Sequence, residues 1–104
     1  MGLTIVYSKI AKQDLAEIYK YISRDSVYYA KREIALILAA IKKLKLNPLL
    51  GRRFEKSVDE FTRELIFQNY RIVYDIEEGT RLIILTIHHH SRLISNNPAF
   101  KDEE

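Results

Sequence analysis

Two helical periods and three runs of alternating or continuous apolar residues organise this chain. Ala11, Leu15, Ile18 and Ile22 recur every three or four positions, with Lys12, Asp14, Glu17 and Lys20 among them. That spacing predicts an amphipathic helix of about four turns, with Ser8 as its N-cap. Arg24-Asp25-Ser26 breaks the pattern and can cap a second helix. Ala30, Ile34, Ile37, Ile41 and Leu44 form the second stripe, and Leu38 widens it. Asn47-Pro48 stops it, because the residue before proline disfavours the α region. The short break between the two stripes predicts an antiparallel helical hairpin. Ahead of it, the β-rich Leu3–Tyr7 reads as a short strand. Behind it, Leu49–Phe61 is irregular. Three strands follow, at about 63–68, 70–77 and 81–90, rich in β-branched and aromatic residues. Gln68-Asn69-Tyr70 forms a tight corner, and Glu77-Glu78-Gly79-Thr80 supplies a hairpin turn. Asn96-Asn97-Pro98 marks a turn past the last strand.

The predicted fold is α+β, in the order β-α-α-β-β-β, with a two-helix hairpin packed on one face of a small, mainly antiparallel sheet. The helices must bury their stripes, and the sheet is the only surface for them. Residues 1–100 are read as a single domain and 101–104 as a frayed acidic tail. Along strand 70–76, Tyr70, Ile72, Tyr74 and Ile76 point one way, toward the helices. Arg71, Val73 and Asp75 point to the other face, which is expected to be left open.

Composition narrows the function classes. No cysteine is present, which removes disulfides and cysteine nucleophiles and fits a reducing compartment. No apolar run in the front half is long enough for a bilayer, and no signal-peptide pattern precedes the fold, so the expected location is cytoplasmic, without membrane attachment. The net charge is +3. Without the last four residues, 16 Lys and Arg stand against 11 Asp and Glu. A basic body leans toward an anionic partner.

The ordered set of motifs resembles the RelE/ParE superfamily of toxins from toxin–antitoxin modules, most closely the ParE and plasmid stabilisation branch. The likeness spans nearly the whole chain. At the front it rests on Tyr7-Ser8, Ala11, Asp14-Leu15, Ile18 and Tyr21-Ile22. In the middle it rests on Asn47-Pro48-Leu49-Leu50-Gly51-Arg52. At the back it rests on Arg63-Glu64-Leu65, Tyr70-Arg71-Ile72-Val73-Tyr74, Ile84-Leu85 and His89 to Arg92. The resemblance implies a compact toxin neutralised by a cognate antitoxin, which reaches operator DNA only through the antitoxin complex. RelE-type members cut messenger RNA on the ribosome; ParE-type members poison DNA gyrase. Fold does not choose between them.

Candidate chemistry gathers at the strands. Arg71 matches the arginine of the family's Tyr-Arg-hydrophobic strand motif, which in RelE-like members holds a phosphate; a fixed guanidinium suits that task. The bland alternative is an ion pair with Glu64 or Asp75. His88, His89 and His90 are candidates for proton transfer. His89 sits nearest the family's histidine, and Arg92 resembles the arginine that closes its His-x-x-Arg pattern. If the chain is a ribonuclease, the expected catalytic set is His89, Arg71 and Arg92. For target or nucleic-acid binding the expected set is Arg52, Arg53, Arg71, His88, His90 and Arg92. Lys42, Lys43 and Lys45 join Arg52 and Arg53 as a second basic group, or simply complement a helix C-terminus. Alternation puts His88 and His90 on one face and His89 on the other, so the three cannot hold one metal; no metal and no cofactor are expected. RelE-like ribonucleases usually carry a tyrosine near the C-terminus, and none follows Tyr74 here. The reading is therefore a ParE-like toxin that inhibits gyrase by binding. A ribosome-dependent messenger ribonuclease is the alternative, and a non-toxic antitoxin- and DNA-binding regulatory module the third.

Overall fold

The computed structural model describes residues 3–54, 61–77 and 80–89. The elements are β1 (Thr4–Tyr7), α1 (Lys9–Ser23), α2 (Val27–Lys42), a single 3₁₀ turn (Lys43–Lys45), β2 (Arg52–Arg53), β3 (Thr62–Phe67), β4 (Tyr70–Glu77) and β5 (Arg81–His89). The five strands form one mixed sheet in the order β1-β5-β4-β3-β2. Only β1 runs parallel to its neighbour.

Both helices start where a serine can accept an orphan N–H. The Ser8 Oγ accepts from Ala11 N at 3.0 Å, and the Ser26 Oγ accepts from Tyr29 N at 3.1 Å. Ser8 also joins helix to sheet: its N–H donates to Ile84 O at 2.9 Å and its hydroxyl to Leu85 O at 2.7 Å. Ile18, Ile37, Ile41 and Leu44 from the helical layer bury against Ile72, Tyr74, Leu82, Ile84 and Ile87 of the sheet. Each such side chain contributes roughly 1.5–3 kcal/mol. The predicted stripes are thus the helix faces that meet the sheet.

β5 is not regular. Tyr74 pairs with Ile84, but Val73 pairs with Thr86, so Leu85 has no partner on β4. This bulge moves the second half of the strand on by one residue. Leu82 and Ile84 face the core before it, and Ile87 faces the core after it. β1 stops opposite Ile84, which would leave the outer edge of β5 bare beyond that point. The Asp14 carboxylate of α1 covers it, accepting from Ile87 N at 2.9 Å and from the Thr86 hydroxyl at 2.6 Å.

Five expectations are corrected. Leu38, expected to widen the buried stripe of the second helix, is exposed. The irregular stretch after Pro48 contains a two-residue strand, Arg52–Arg53, paired with Glu64 and Arg63; it is too short and too charged to show a period. The second helix leaves α geometry at Lys42, and Leu44 reaches the core from the 3₁₀ turn. The strand expected at about 63–68 begins one residue earlier and ends at Phe67; Gln68 stands in the turn with φ 53°, a conformation that costs a non-glycine residue about 1 kcal/mol. The sheet face away from the helices is not open at its centre, because Val73, Thr62 and Glu64 are all buried. His90, Arg92, the Asn96-Asn97-Pro98 turn and the acidic tail lie outside the described residues.

Candidate functional site

Strand register sorts the candidate residues onto two faces. Arg71 stands opposite His88, and Tyr70 stands opposite His89. Tyr70 belongs to the core and meets the His89 ring edge-on, with centroids 4.9 Å apart. Its hydroxyl donates to Glu33 Oε1 of α2 at 3.1 Å. His89 is therefore on the helix side. Arg71 and the exposed His88 are on the far side. The structure brings Arg71 together with His88 and separates it from His89 by the sheet itself.

On the far face, Glu64 is the centre of charge. It is 5% exposed and lies between two arginines. Arg52 Nε donates to Oε2 at 2.8 Å. Arg71 Nε approaches Oε1 at 3.1 Å without aiming its N–H, so this contact is ionic rather than hydrogen-bonded. Of the two carboxylates near Arg71 in sequence, Glu64 makes the pair, while Asp75 accepts the Thr62 hydroxyl. Arg53 sits opposite Arg63, on the other face from Arg52. Lys42 and Lys45 border β1, and Arg52 and Arg53 form β2 at the opposite edge of the sheet, so the expected basic group is split by three strands. Among the described residues, no three His, Asp or Glu side chains converge in a way that could hold a metal.

A buried tyrosine holds the loop that presents Arg52. The Tyr74 hydroxyl donates to Pro48 O at 2.7 Å and accepts from Gly51 N at 3.0 Å. Arg63 Nε donates to Gly51 O at 2.9 Å. A Cβ on Gly51 would lie 2.6 Å from Glu64 O and 2.7 Å from the Tyr74 hydroxyl, so only glycine fits. These ties give a physical reason for the Asn-Pro-Leu-Leu-Gly-Arg run. Asp14, Gly51 and Tyr74 stand in the family's motifs, but their roles are not visible in the sequence, where Asp14 is one of several polar residues on an amphipathic helix and Tyr74 one of four core-facing strand positions.

Burial raises the Tyr74 hydroxyl above its ordinary value of 10.0, against the opposing pull of the Gly51 N–H and of Arg63. Burial raises Tyr7 as well. The unfolded chain loses these protons near pH 10.0, and the folded chain keeps them to higher pH. Their stabilising contribution is complete below the unfolded value and is lost as pH rises through the folded one. The melting temperature should therefore fall as the pH rises past the ordinary tyrosine value of 10.0. Tyr74→Phe should lose about 1–3 kcal/mol at neutral pH, because Gly51 N is left without an acceptor, and should decline less steeply in alkali. An equal alkaline slope in both proteins would rule out Tyr74 as a source of it.

No helix among the described residues is long and apolar enough to cross a membrane. Among curated proteins none matches this sequence. Solved structures share its fold. The chromosomal ParDE toxin–antitoxin system of P. aeruginosa has a chain that aligns with a TM-score of 0.69 at 22% identity, over 84% of this chain and 95% of that one. The RelBE2 toxin–antitoxin complex of Mycobacterium tuberculosis gives 0.66 at 22%, over 86% and 99%. The YoeB dimer of Staphylococcus aureus gives 0.58 at 23%, over 85% and 97%. The family model described as the ParE toxin of the type II toxin–antitoxin system parDE matches residues 5–94. With nearly its whole length accounted for by that model, and with the five-stranded sheet and helical hairpin that the solved relatives share, the chain belongs to the ParE toxin family of the RelE/ParE superfamily.

Proposed function

We propose that this ParE-family toxin acts by binding a protein target, DNA gyrase, rather than by cutting RNA, and that a cognate antitoxin neutralises it in the cytoplasm. The observation that carries the reading is the placement of Arg71 and His89 on opposite faces of the β4–β5 ladder. Cleavage by the 2′-hydroxyl needs proton transfer and charge stabilisation at one phosphate. An anion resting on Arg71 would be a full sheet thickness from the His89 ring, which is engaged with Tyr70. A nuclease built on this sheet would have to use His88, the residue that shares a face with Arg71.

The antitoxin reading has its own support. A groove of about 640 Å³ runs beside β1, lined by Leu3, Ile5, Tyr7 and Leu38 and bordered by Lys42 and Lys45. β1 is the last strand on that side among the described residues. An extended segment carrying apolar residues and carboxylates fits there by strand addition. Co-expression with the neighbouring reading frame should give a complex that melts higher by mass action and should restore growth. If the neighbour neither binds nor rescues, the regulatory and toxic readings both fail.

The target is tested by inducible expression. Gyrase poisoning predicts DNA breaks and filamentation with translation intact, and His89→Ala should keep most of the toxicity. A ribonuclease predicts cleaved messages on ribosomes, with loss of one catalytic group costing roughly 10²–10⁴ in rate. Message cleavage that disappears in a folded His89→Ala or His88→Ala protein would overturn the binding reading.

A further inference from the structure

We propose that Glu64 decides what the far face of the sheet can hold: it is a built-in anion occupying the place between Arg52 and Arg71 that a nucleic-acid phosphate would otherwise take. Two guanidiniums converging on one point are an oxyanion cradle, since each offers N–H donors in a plane that matches carboxylate or phosphate oxygens. Here the oxygens already present are those of Glu64, at 2.8 Å from Arg52 Nε and 3.1 Å from Arg71 Nε. The occupant cannot swing aside, because it belongs to the middle of β3 and is 5% exposed.

The fit is asymmetric. Arg52 is 69% exposed and makes a true hydrogen bond. Arg71 is 28% exposed, and its buried Nε and the buried Oε1 of Glu64 are left without hydrogen bonds although they are in contact. A buried donor and acceptor left unmade carry a cost. Strand geometry explains why the cost persists. Glu64 is opposite Val73, not Arg71, so the pair is diagonal across the ladder and the guanidinium reaches the carboxylate from the side. The arrangement therefore serves charge balance more than bonding. A carboxylate there cancels one of the two positive charges and repels a second anion from the same spot. His88, exposed and opposite Arg71, stays available at the margin, where a protein partner's side chains can reach it. The face is thereby set against phosphate and left open to protein contact.

This deepens the binding reading above, but its test is separate from it: the cradle is read with purified protein and small anions, and the target is read in cells. Inorganic phosphate and a short 5′-phosphorylated RNA are titrated into the whole chain, following melting temperature and ³¹P line width. The wild type should show no phosphate-dependent stabilisation that depends on Arg71. Glu64→Gln keeps the shape and removes the charge. Its phosphate affinity should rise on the order of tenfold, because an anion on the solvent-facing N–H groups of Arg52 and Arg71 no longer meets the carboxylate's repulsion, which water screens to about 1 kcal/mol at close range, and adding Arg71→Ala should abolish the gain. Should Glu64→Gln fail to fold, Glu64→Asp is read instead. Its shorter carboxylate reaches the two guanidiniums less well, and a smaller gain, again lost with Arg71→Ala, is expected. The proposal is overturned by a folded Glu64 variant with wild-type phosphate affinity, by a gain that survives Arg71→Ala, or by wild-type phosphate binding that Arg71→Ala removes.

Discussion

Ile37→Asp should unfold the chain or lower its stability by roughly 4 kcal/mol or more. Ile37 is fully buried on α2 against the sheet. An aspartate there loses the isoleucine's apolar contacts and places an unpaired carboxylate among aliphatic side chains, so it must either neutralise or open the core to water. A small domain has only about 5–15 kcal/mol of net stability. Ile37→Val is the matched control, with a cost of about 1 kcal/mol for one methylene. Denaturant melts of the three proteins check this. An unchanged midpoint for the aspartate variant would mean that the helix face has been misplaced.

Gly51→Ala is the second large effect, at about 3 kcal/mol or more. The new Cβ would meet Glu64 O at 2.6 Å and the Tyr74 hydroxyl at 2.7 Å. Neither can retreat cheaply. One is strand backbone, and the other is fixed by Pro48 O. Overfilling a tight site typically costs 1–3 kcal/mol, with larger values where the neighbours are fixed. In the Tyr74→Phe background one of the two obstacles is gone, so the alanine should cost less there, and the double-mutant cycle should show coupling. Strict additivity would mean that the loop moves away as a unit and that the tyrosine does not hold it.

The parts of this fold that sequence made visible are those whose period is long compared with their irregularities. Fifteen- and sixteen-residue helices repeat their stripe four or more times, and every stripe residue except Leu38 is buried or packs against the core. The eight residues of β4 repeat theirs four times, enough to put Arg71 and Tyr74 on opposite faces. Two residues of β2 repeat nothing. In β5 the run Ile83-Ile84-Leu85 is apolar at every position, so the change of phase at Leu85 left no mark in the pattern. The site was partly visible for a similar reason. Arg71 and Glu64 stand out as charges inside apolar strands, and their pairing was one of two choices. The partnership of Asp14 with β5 spans 72 and 73 residues of sequence, and no local pattern can reveal a contact of that length.

The bulge at Leu85 also sets how this sheet's surface can change. If β5 continued past Ile84 in the register it has before the bulge, Ile87 would lie across from Arg71 and His88 would lie across from Tyr70. The place beside Arg71 would gain a hydrocarbon and lose its imidazole, while the core would take in the Thr86 hydroxyl opposite Ile72 in place of Ile87. The chemistry beside Arg71 therefore depends on how many backbone residues separate Ile84 from the last turn of the strand. A slip of one residue, by insertion or by loss of Asp14's hold on Ile87, exchanges the two faces without altering any side chain. Length changes in this strand are consequently a shorter route between different surfaces than substitutions are.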